Sequence, residues 1–324
     1  MFSIDDILCR IEKELAALPF QREPLGLYNP VTYMIAMGGK RLRPALCLLS
    51  CNLFTKEIDG HVLMPAMGLE VFHAFTLAHD DIMDAADIRR GHPTLHKKWN
   101  TNTAILSGDV MCIAAYTLIS KCAPSRLPAV LPLFSHTAAQ VCEGQQFDMD
   151  YEHRETITHE EYFKMIALKT AALIACASRM GAICGGAPES DARLLYDFGF
   201  SLGMGFQIRD DFLDAFGDPV TFGKSIGGDI LNNKKTWLLV DAMQKAAGPD
   251  KKELHRLIHY CHDPEEKVLG IIDLYKKFEV PQAAEKKIND FHRQTIGLLQ
   301  QIAVSENSKE QIYQYTTSLL NRKK

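Results

Sequence analysis

Three carboxylates stand close together in the segment HDDIMDAADIRRG (79–91), and two arginines follow them. Asp80 and Asp84 are four positions apart, so a helix places both on one face with Asp81 beside them. Carboxylate oxygens suit a hard cation such as Mg²⁺, which keeps water ligands and bridges to phosphate. A single cluster of this kind is equally typical of an acidic helix end in solvent, so this segment alone does not establish a metal site.

The same spacing recurs in GFQIRDDFLDAFGD, where Asp210, Asp211 and Asp214 again follow an apolar run. If the two helices are antiparallel, the clusters do not meet; if their carboxyl ends point the same way, the clusters face each other. Facing clusters carry too much negative charge unless divalent cations and a polyanion lie between them. The repetition therefore favours two or three Mg²⁺ ions that hold a diphosphate.

Basic residues in glycine-flanked segments supply the complementary charge. GGKRLRP places Lys40 and Arg43 three positions apart after a glycine pair. We expect both on one face at a helix start, where free N–H groups also favour anions. Each base taken singly is more typical of a solvated charge, but together they favour an anion site. The other basic candidates follow the first acidic cluster or lie in and after FGKSIGGD: Arg89, Arg90, Lys224 and Lys234.

Helical periodicity runs through nearly the whole chain. Ser3 and Asp6 form a capping-box pattern before the first helix. Strand-like alternation is hard to find, and turn signals such as GLYNP (26–30) are too short for domain linkers. We predict one all-α domain over residues 1–324 with about ten or more helices. After the first, the expected helices are 42–54, 62–84, 104–122, 127–149, 160–185, 191–216, 234–246, 266–279 and 281–304.

Composition is that of a globular protein with a large core. The 324 residues are 47% hydrophobic and 23% charged. A net charge of −4 gives no reason to expect a nucleic-acid partner. Nine cysteines without a CxxC pair indicate free thiols and a reducing cytoplasm. The N-terminus carries acids too early for a signal peptide, and no stretch offers 18 uninterrupted apolar residues, so we expect no transmembrane segment.

The motifs GGKRLRP, HDDIMD…RRG, GQQFD, LKT, GFQIRDDFLD and GKSIGGDI resemble those of the trans-isoprenyl diphosphate synthases (polyprenyl synthetase family), short-chain type. Their order and spacing agree from roughly residue 30 to residue 240. The resemblance implies a single all-α domain around a deep cavity, Mg²⁺, and a homodimer. It also implies condensation of isopentenyl diphosphate with a dimethylallyl, geranyl or farnesyl diphosphate to a C15–C20 product.

The resemblance assigns roles residue by residue. The family's Mg²⁺ ligands correspond to Asp80, Asp84 and Asp210 of this chain. Asp81, Asp211 and Asp214 correspond to residues in supporting or water-mediated roles. The residues that resemble the family's binding site for the allylic diphosphate are Arg89, Lys169, Lys224 and Lys234. Those that resemble its binding site for isopentenyl diphosphate are Lys40, Arg43, His73 and Arg90. Thr170 and Gln207 resemble the polar groups near the cationic carbon, and Gln145 and Asp148 match GQxxD. The C-terminal NRKK (321–324) is either a solubilising tail or a cover over the isopentenyl site.

Product length is expected to depend on the helix that leads into HDDIMD. Phe75 and Phe72 lie five and eight positions before Asp80 and share a face about 8–12 Å below it, at 1.5 Å per residue. In the family, an aromatic residue five positions before the motif is typical of synthases that make C15 or C20 products. Thr76, four positions before, is small and favours C20. The alternative is that both phenylalanines are ordinary core residues.

Three other functions share part of this pattern. A class I terpene cyclase is expected to carry an NSE-type second motif in place of DDFLD. A non-catalytic partner subunit of a heteromeric synthase typically loses an aspartate motif, and this chain keeps both. A di-iron bundle requires Glu-x-x-His pairs on core helices. The synthase interpretation accounts for more of the motifs than any of these.

Overall fold

The computed structural model describes residues 2–217 and 227–320, which are helical along most of their length. This confirms the all-α prediction. Lys224 and NRKK lie outside the described residues. The elements are α1 (Ile4–Ala16), α2 (Leu25–Ala36), α3 (Leu42–Asn52), α4 (Gly60–Met83), β1 (Ile88–Arg89), β2 (His92–Pro93), α5 (Leu95–Lys98), α6 (Thr101–Ile119), α7 (Leu127–Glu152), α8 (His159–Ile166), a π-helical segment (Ala167–Ala171), α9 (Ala172–Cys184), α10 (Glu189–Phe216), α11 (Gly228–Leu231), α12 (Trp237–Lys245), α13 (Gly248–His259), α14 (Pro264–Lys277), α15 (Val280–Gln300) and α16 (Glu306–Leu320).

Local sequence signals explain the first helix and fail at the second. The capping box of α1 is present, since the Asp6 N–H donates to Ser3 Oγ and the Ser3 N–H donates to the Asp6 carboxylate. The expected turn at GLYNP is wrong, because these residues lie inside α2 and Pro30 is buried there. Burial of Val31 and Met34 on the same helix shows that packing overrides the proline.

A short hairpin follows the first aspartate cluster. Strands β1 and β2 pair antiparallel, with Arg89 opposite His92. Arg90 and Gly91 form the two-residue turn, and both have positive φ, at 52° and 77°. Such a turn matches the twist of the two strands, as the more common Asn-Gly sequence does. In residues 2–217 and 227–320 this pair is the only sheet.

The chain divides into two compact units, each made of three stretches. The first unit comprises Met1–Ala138, Leu173–Gly199 and Leu298–Tyr315. Helix α4 is buried along most of its length there. It packs closely on α6, because a Cβ on Gly68 would lie 2.7 Å from an Ile119 side-chain carbon. Helices α9 and α3 approach closely as well, since a Cβ on Gly181 would lie 1.9 Å from the Cys47 carbonyl oxygen.

The second unit comprises Ala139–Ala172, Phe200–Gly297 and Thr316–Lys324. Its core includes the buried side chains of Tyr162, Ile208 and Tyr275. Trp237, at the start of α12, belongs to the same core. The prediction of one domain over residues 1–324 stays a prediction.

Three helices have the length and composition that a bilayer span requires. They are Gly60–Met83, Thr101–Ile119 and the continuous helical stretch His159–Cys184. Within the protein, 67%, 39% and 78% of their most apolar windows are buried, respectively. The nine cysteines are all free thiols. The expected absence of a transmembrane segment and the expected cytoplasmic location stay predictions.

Candidate active site

The first aspartate cluster lies at the C-terminal end of α4. Asp81 is only 1% exposed, and Arg89 Nε donates to both of its carboxylate oxygens, at 2.8 and 2.9 Å. The other end of the Arg89 guanidinium lies 3.7 Å from Asp80 Oδ2. Burial raises the pKa of the Asp81 carboxyl although Arg89 opposes this effect. Asp81 therefore anchors the hairpin to α4, while Asp80 and Asp84 are more exposed.

Arg90 lies directly over the glycine pair that precedes α3. Its guanidinium donates to the Gly38 carbonyl oxygen. A Cβ on Gly39 would lie 2.6 Å from Arg90 Nη1, and Gly39 has φ of 134°. The backbone conformation of Gly39 favours glycine, and the missing Cβ leaves room for the Arg90 guanidinium. The pair in GGKRLRP is thus explained by its contact with Arg90.

Three of the four residues predicted to hold isopentenyl diphosphate come together in the first unit. Burial lowers the pKa of His73 well below its ordinary value, and the positive charges of Arg43 and Arg90 lower it further. Arg43 and Arg90 therefore act electrostatically on His73 within the first unit. A positively charged environment of this kind is suited to an anion.

Lys40 does not share a helix face with Arg43, so that expectation is wrong. Helix α3 begins only at Leu42, because Arg41 takes a left-handed conformation with φ of 47° and interrupts the helix there. The Lys40 carbonyl oxygen instead accepts a hydrogen bond from the Tyr315 hydroxyl at 3.4 Å.

Arg41 is a contributor that sequence reasoning missed. It is 5% exposed, and its guanidinium donates to Glu12 at 2.7 Å, to Glu70 at 2.9 Å and to the Ile35 carbonyl at 2.8 Å. These three contacts hold the loop before α3 in place. Nothing in the local sequence distinguishes this buried arginine from its neighbours, because its partners are up to 29 positions away.

The second aspartate cluster lies at the C-terminal end of α10, in the second unit. Asp211 is 4% exposed and accepts three hydrogen bonds, from the Tyr162 hydroxyl at 2.7 Å, the Trp237 N–H at 2.9 Å and Gln207 Nε2 at 2.9 Å. Burial and then the charge of Asp229 raise the pKa of Asp211 to about 7, against those hydrogen bonds. Asp211 is therefore an anchor in its unit, as Asp81 is in the first unit.

Asp214 and Lys234 are both tied to the short helix α11. Asp214 is 9% exposed and accepts a hydrogen bond from the Asp229 N–H at 2.9 Å. Lys234 Nζ lies 4.0 Å from Asp229 Oδ1. Asp210, one position before the anchor, is only partly buried.

Lys169 and Thr170 lie in the π-helical segment Ala167–Ala171. A π-turn of this kind often marks a functional position in a helix. Lys169 Nζ contacts Asp148 Oδ2 at 2.5 Å. A Cβ on Gly144 would lie 2.2 Å from the backbone nitrogen of Lys169. The motif GQQFD thus supplies both the gap for the Lys169 backbone and the carboxylate for its ammonium group.

A relay of hydrogen bonds connects the predicted polar groups in this unit. The Thr170 hydroxyl donates to Gln207 Oε1 at 2.8 Å, and Gln207 donates to Asp211. Tyr162 completes the relay at the far side of Asp211. Sequence reasoning missed Tyr162, because it is 49 positions from its partner and its residue type does not distinguish it from core aromatics.

The predicted chain-length residues belong to a row of aromatic rings in the first unit. Phe72 lies 5.3 Å from Phe75 and 5.1 Å from Phe134, whose other side meets Tyr116 at 4.9 Å, all between ring centroids. The Thr76 hydroxyl donates to the His73 carbonyl at 2.8 Å, within its own turn. Sequence reasoning named only the α4 members, since Tyr116 and Phe134 come from α6 and α7.

The donor atoms at the two helix ends fit Mg²⁺. In residues 2–217 and 227–320, no three His, Cys, Asp or Glu side chains form a group that could hold a metal by itself. Mg²⁺ is usually held by one or two carboxylates, with substrate phosphates and water completing the octahedron. The resemblance assigns Mg²⁺ to Asp80 and Asp84 in the first unit and to Asp210 in the second, and all three are carboxylates of the kind that Mg²⁺ prefers.

Comparisons with known proteins identify the family to which the chain belongs. The polyprenyl synthetase family model matches residues 25–275. A geranylgeranyl diphosphate synthase of Methanosarcina mazei is 40% identical over 235 residues, covering 72% of each chain. One of Sulfolobus acidocaldarius is 34% identical over 306 residues, covering 92% of this chain and 91% of that one. A crystal structure of a geranylgeranyl pyrophosphate synthase has a TM-score of 0.94 and 39% identity, with both chains fully covered.

The depressed pKa of His73 predicts a specific pH dependence of stability. The folded protein keeps His73 neutral while the unfolded chain protonates it near pH 6.5, so acid favours unfolding. Between pH 6.5 and 5 the free energy of unfolding should fall by up to about 1.4 kcal/mol per pH unit more than in a His73→Gln variant. Urea unfolding at pH 8, 7, 6 and 5 measures this. Equal slopes in the two proteins would contradict the assignment.

Proposed function

Because the chain belongs to the polyprenyl synthetase family and is a trans-prenyltransferase, we propose that it joins isopentenyl diphosphate head-to-tail to an allylic diphosphate with Mg²⁺. The allylic C–O bond ionises, the isopentenyl double bond attacks the cation, and a proton is lost. The products are diphosphate and an all-trans prenyl diphosphate five carbons longer. The observation that carries the proposal is the pair of aspartate motifs, each built on one buried and fully engaged aspartate.

The basic side chains of the first unit are suited to the isopentenyl diphosphate. Arg43 and Arg90 lie near the neutral His73, and the Arg90 guanidinium rests on the glycine pair. Diphosphate charge would reverse the electrostatic environment of His73 and let its ring bind as a donor. Lys40 extends this group from the loop that Arg41 holds.

The allylic diphosphate is assigned to Arg89 and Lys169, with Lys234 and Lys224. Bound Mg²⁺ would add positive charge that stabilises the leaving diphosphate. Arg89 is already oriented by Asp81, and Lys169 by Asp148, so neither cation must be ordered when substrate binds. Preorganised charge of this kind acts on the transition state without further rearrangement.

The allylic cation requires nearby polar oxygens and exclusion of water. The Thr170 hydroxyl and the Gln207 carbonyl oxygen are fixed to each other and to Asp211, so their dipoles are oriented before reaction. The departing diphosphate accepts the proton. The reaction then needs neither a dedicated general base nor a nucleophile from the protein.

We assign a C20 product. The prenyl tail runs along α4 away from Asp80, and Phe75 stops it with Phe72 behind it. Phe72 is 1% exposed and packs against Phe134. The two phenylalanines that stop the tail therefore cannot move away from it unless the core repacks. Thr76 is small and leaves room above the stop for a fourth isoprene unit.

A homodimer is the expected assembly, and α6 offers the surface for it. Ile105, Leu106 and Ile113 are 40%, 58% and 66% exposed along one side of this helix. Large apolar side chains grouped on a surface mark an interaction site.

The proposed reaction can be tested directly. With Mg²⁺, isopentenyl diphosphate and dimethylallyl, geranyl or farnesyl diphosphate, the purified protein should release diphosphate and a prenyl diphosphate. Asp80→Asn and Asp210→Asn should each lower kcat by about a hundredfold or more, because metal-borne charge stabilisation is worth several kcal/mol. Asp87→Asn, which alters an exposed carboxylate paired with Lys97, should leave kcat unchanged. Absence of condensation with every starter would refute the function.

Another prediction concerns the length of the product. Phe75→Ala removes the stop, and chromatography of the dephosphorylated product should show chains longer than C20. Phe163→Ala removes a partly buried ring from the second unit and should leave the length unchanged. An unaltered product from Phe75→Ala would make Phe75 an ordinary core residue.

A further prediction concerns assembly. Sedimentation velocity should show a dimer, and Ile113→Arg should shift it towards monomer because a charge is costly to bury in an apolar interface. Tyr260→Arg changes a residue that is 68% exposed in the second unit and should not affect sedimentation. A wild-type monomer at micromolar concentration would exclude this assembly.

A further inference from the structure

His79 directly precedes the first aspartate cluster, and its imidazole reaches across to α6. Its Nε2 hydrogen-bonds the Ile105 carbonyl oxygen at 3.2 Å and lies 3.9 Å from Asp109 Oδ1. The side chain is 21% exposed. His79 is therefore a partly buried bridge between two helices of the first unit.

The imidazole of His79 packs directly against Gly108. A Cβ on Gly108 would lie 2.2 Å from His79 Nε2 and 2.5 Å from its Cδ2. No side chain larger than hydrogen fits there unless the ring moves, because real Cβ contacts are never this short. The φ of Gly108 is ordinary for a helix, so the glycine is required for space alone.

The imidazole also contacts Phe75. The two ring centroids are 4.8 Å apart and the planes are inclined at 69°, an edge-to-face arrangement. Phe72 contacts the Phe75 ring as well, at 5.3 Å. Along α4, Phe75 thus lies between the buried Phe72 and His79, whose ring contacts α6.

We propose that His79 is a positioning residue for product length, which it sets by holding the Phe75 ring across the path of the prenyl tail. Gly108 makes this possible by giving the imidazole its place on α6. The inference rests on the proposed function, because it assumes that Phe75 stops the growing chain. It adds a determinant one position from the aspartates and a second one on another helix.

The simpler alternative is that His79 only joins α4 to α6. Its loss would then lower stability and leave the product unchanged. Product length separates the two roles, because a purely structural contact does not select between chains that differ by one isoprene unit.

The test uses three variants of the full chain, His79→Ala, Gly108→Ala and the double variant, each with Mg²⁺, isopentenyl diphosphate and farnesyl diphosphate. His79→Ala frees one side of Phe75 and should raise the share of products longer than C20 on the order of threefold. Gly108→Ala should also change this share, because it displaces the imidazole. In the His79→Ala background Gly108→Ala should have no further effect, since no ring remains to be displaced.

Thr117→Ala is the matched control on α6. Its hydroxyl donates only within its own helix, to the Ile113 carbonyl, and its loss should leave the product unchanged. If Gly108→Ala does not fold, the comparison of His79→Ala with wild type carries the test.

The outcomes separate this inference from the function on which it rests. Longer products from Phe75→Ala with wild-type products from His79→Ala would overturn the role of His79 and leave the proposed function intact. Wild-type products from both variants would remove the stop at Phe75 and the inference with it. A wild-type protein without condensation activity would refute the function itself.

Discussion

A carboxylate removed from water must be met by hydrogen-bond donors, and each aspartate motif is built around one such group. Asp81 is held by the Arg89 guanidinium, and Asp211 by the Tyr162 hydroxyl, the Trp237 N–H and Gln207. Each anchor ties its helix end to other elements of its own unit. Asp80, Asp84 and Asp210 are more exposed than these two anchors, whereas Asp214 is also buried. Most other features of the two sites follow from these two anchors.

The sequence predicted the fold class and most long helices, because burial on one or more helix faces leaves a periodic trace. Expected spans such as 62–84 and 191–216 agree closely with Gly60–Met83 and Glu189–Phe216. The expected turn at GLYNP failed because packing of α2 outweighs the signal of Pro30. The π-helical segment at Lys169 left no trace, since one extra residue in a turn barely alters the periodicity.

The site was predictable where it consists of motifs and not where it depends on contacts between distant segments. Arg43 and Arg90 act electrostatically on His73 in the first unit, while their predicted role in binding isopentenyl diphosphate stays a prediction. The hairpin turn that carries Arg90 lacks the Asn-Gly or Asp-Gly sequence that would announce it. Arg41, Tyr162 and Phe134 were not found, because a residue type and its local spacing say nothing about a partner on another helix.

The two ends of the described chain meet within the first unit. The Ile4 N–H donates to Gln311 Oε1 at 3.0 Å, and four residues further along α16 the Tyr315 hydroxyl reaches the carbonyl of Lys40. Helices α1 and α16 are thus both linked by hydrogen bonds to the loop that precedes α3, α1 through Glu12 and Arg41 and α16 through Tyr315 and Lys40. For immobilisation or fusion in a biosynthetic cascade, the exposed lysines of α13, Lys251 and Lys252, offer an attachment point remote in sequence from that loop.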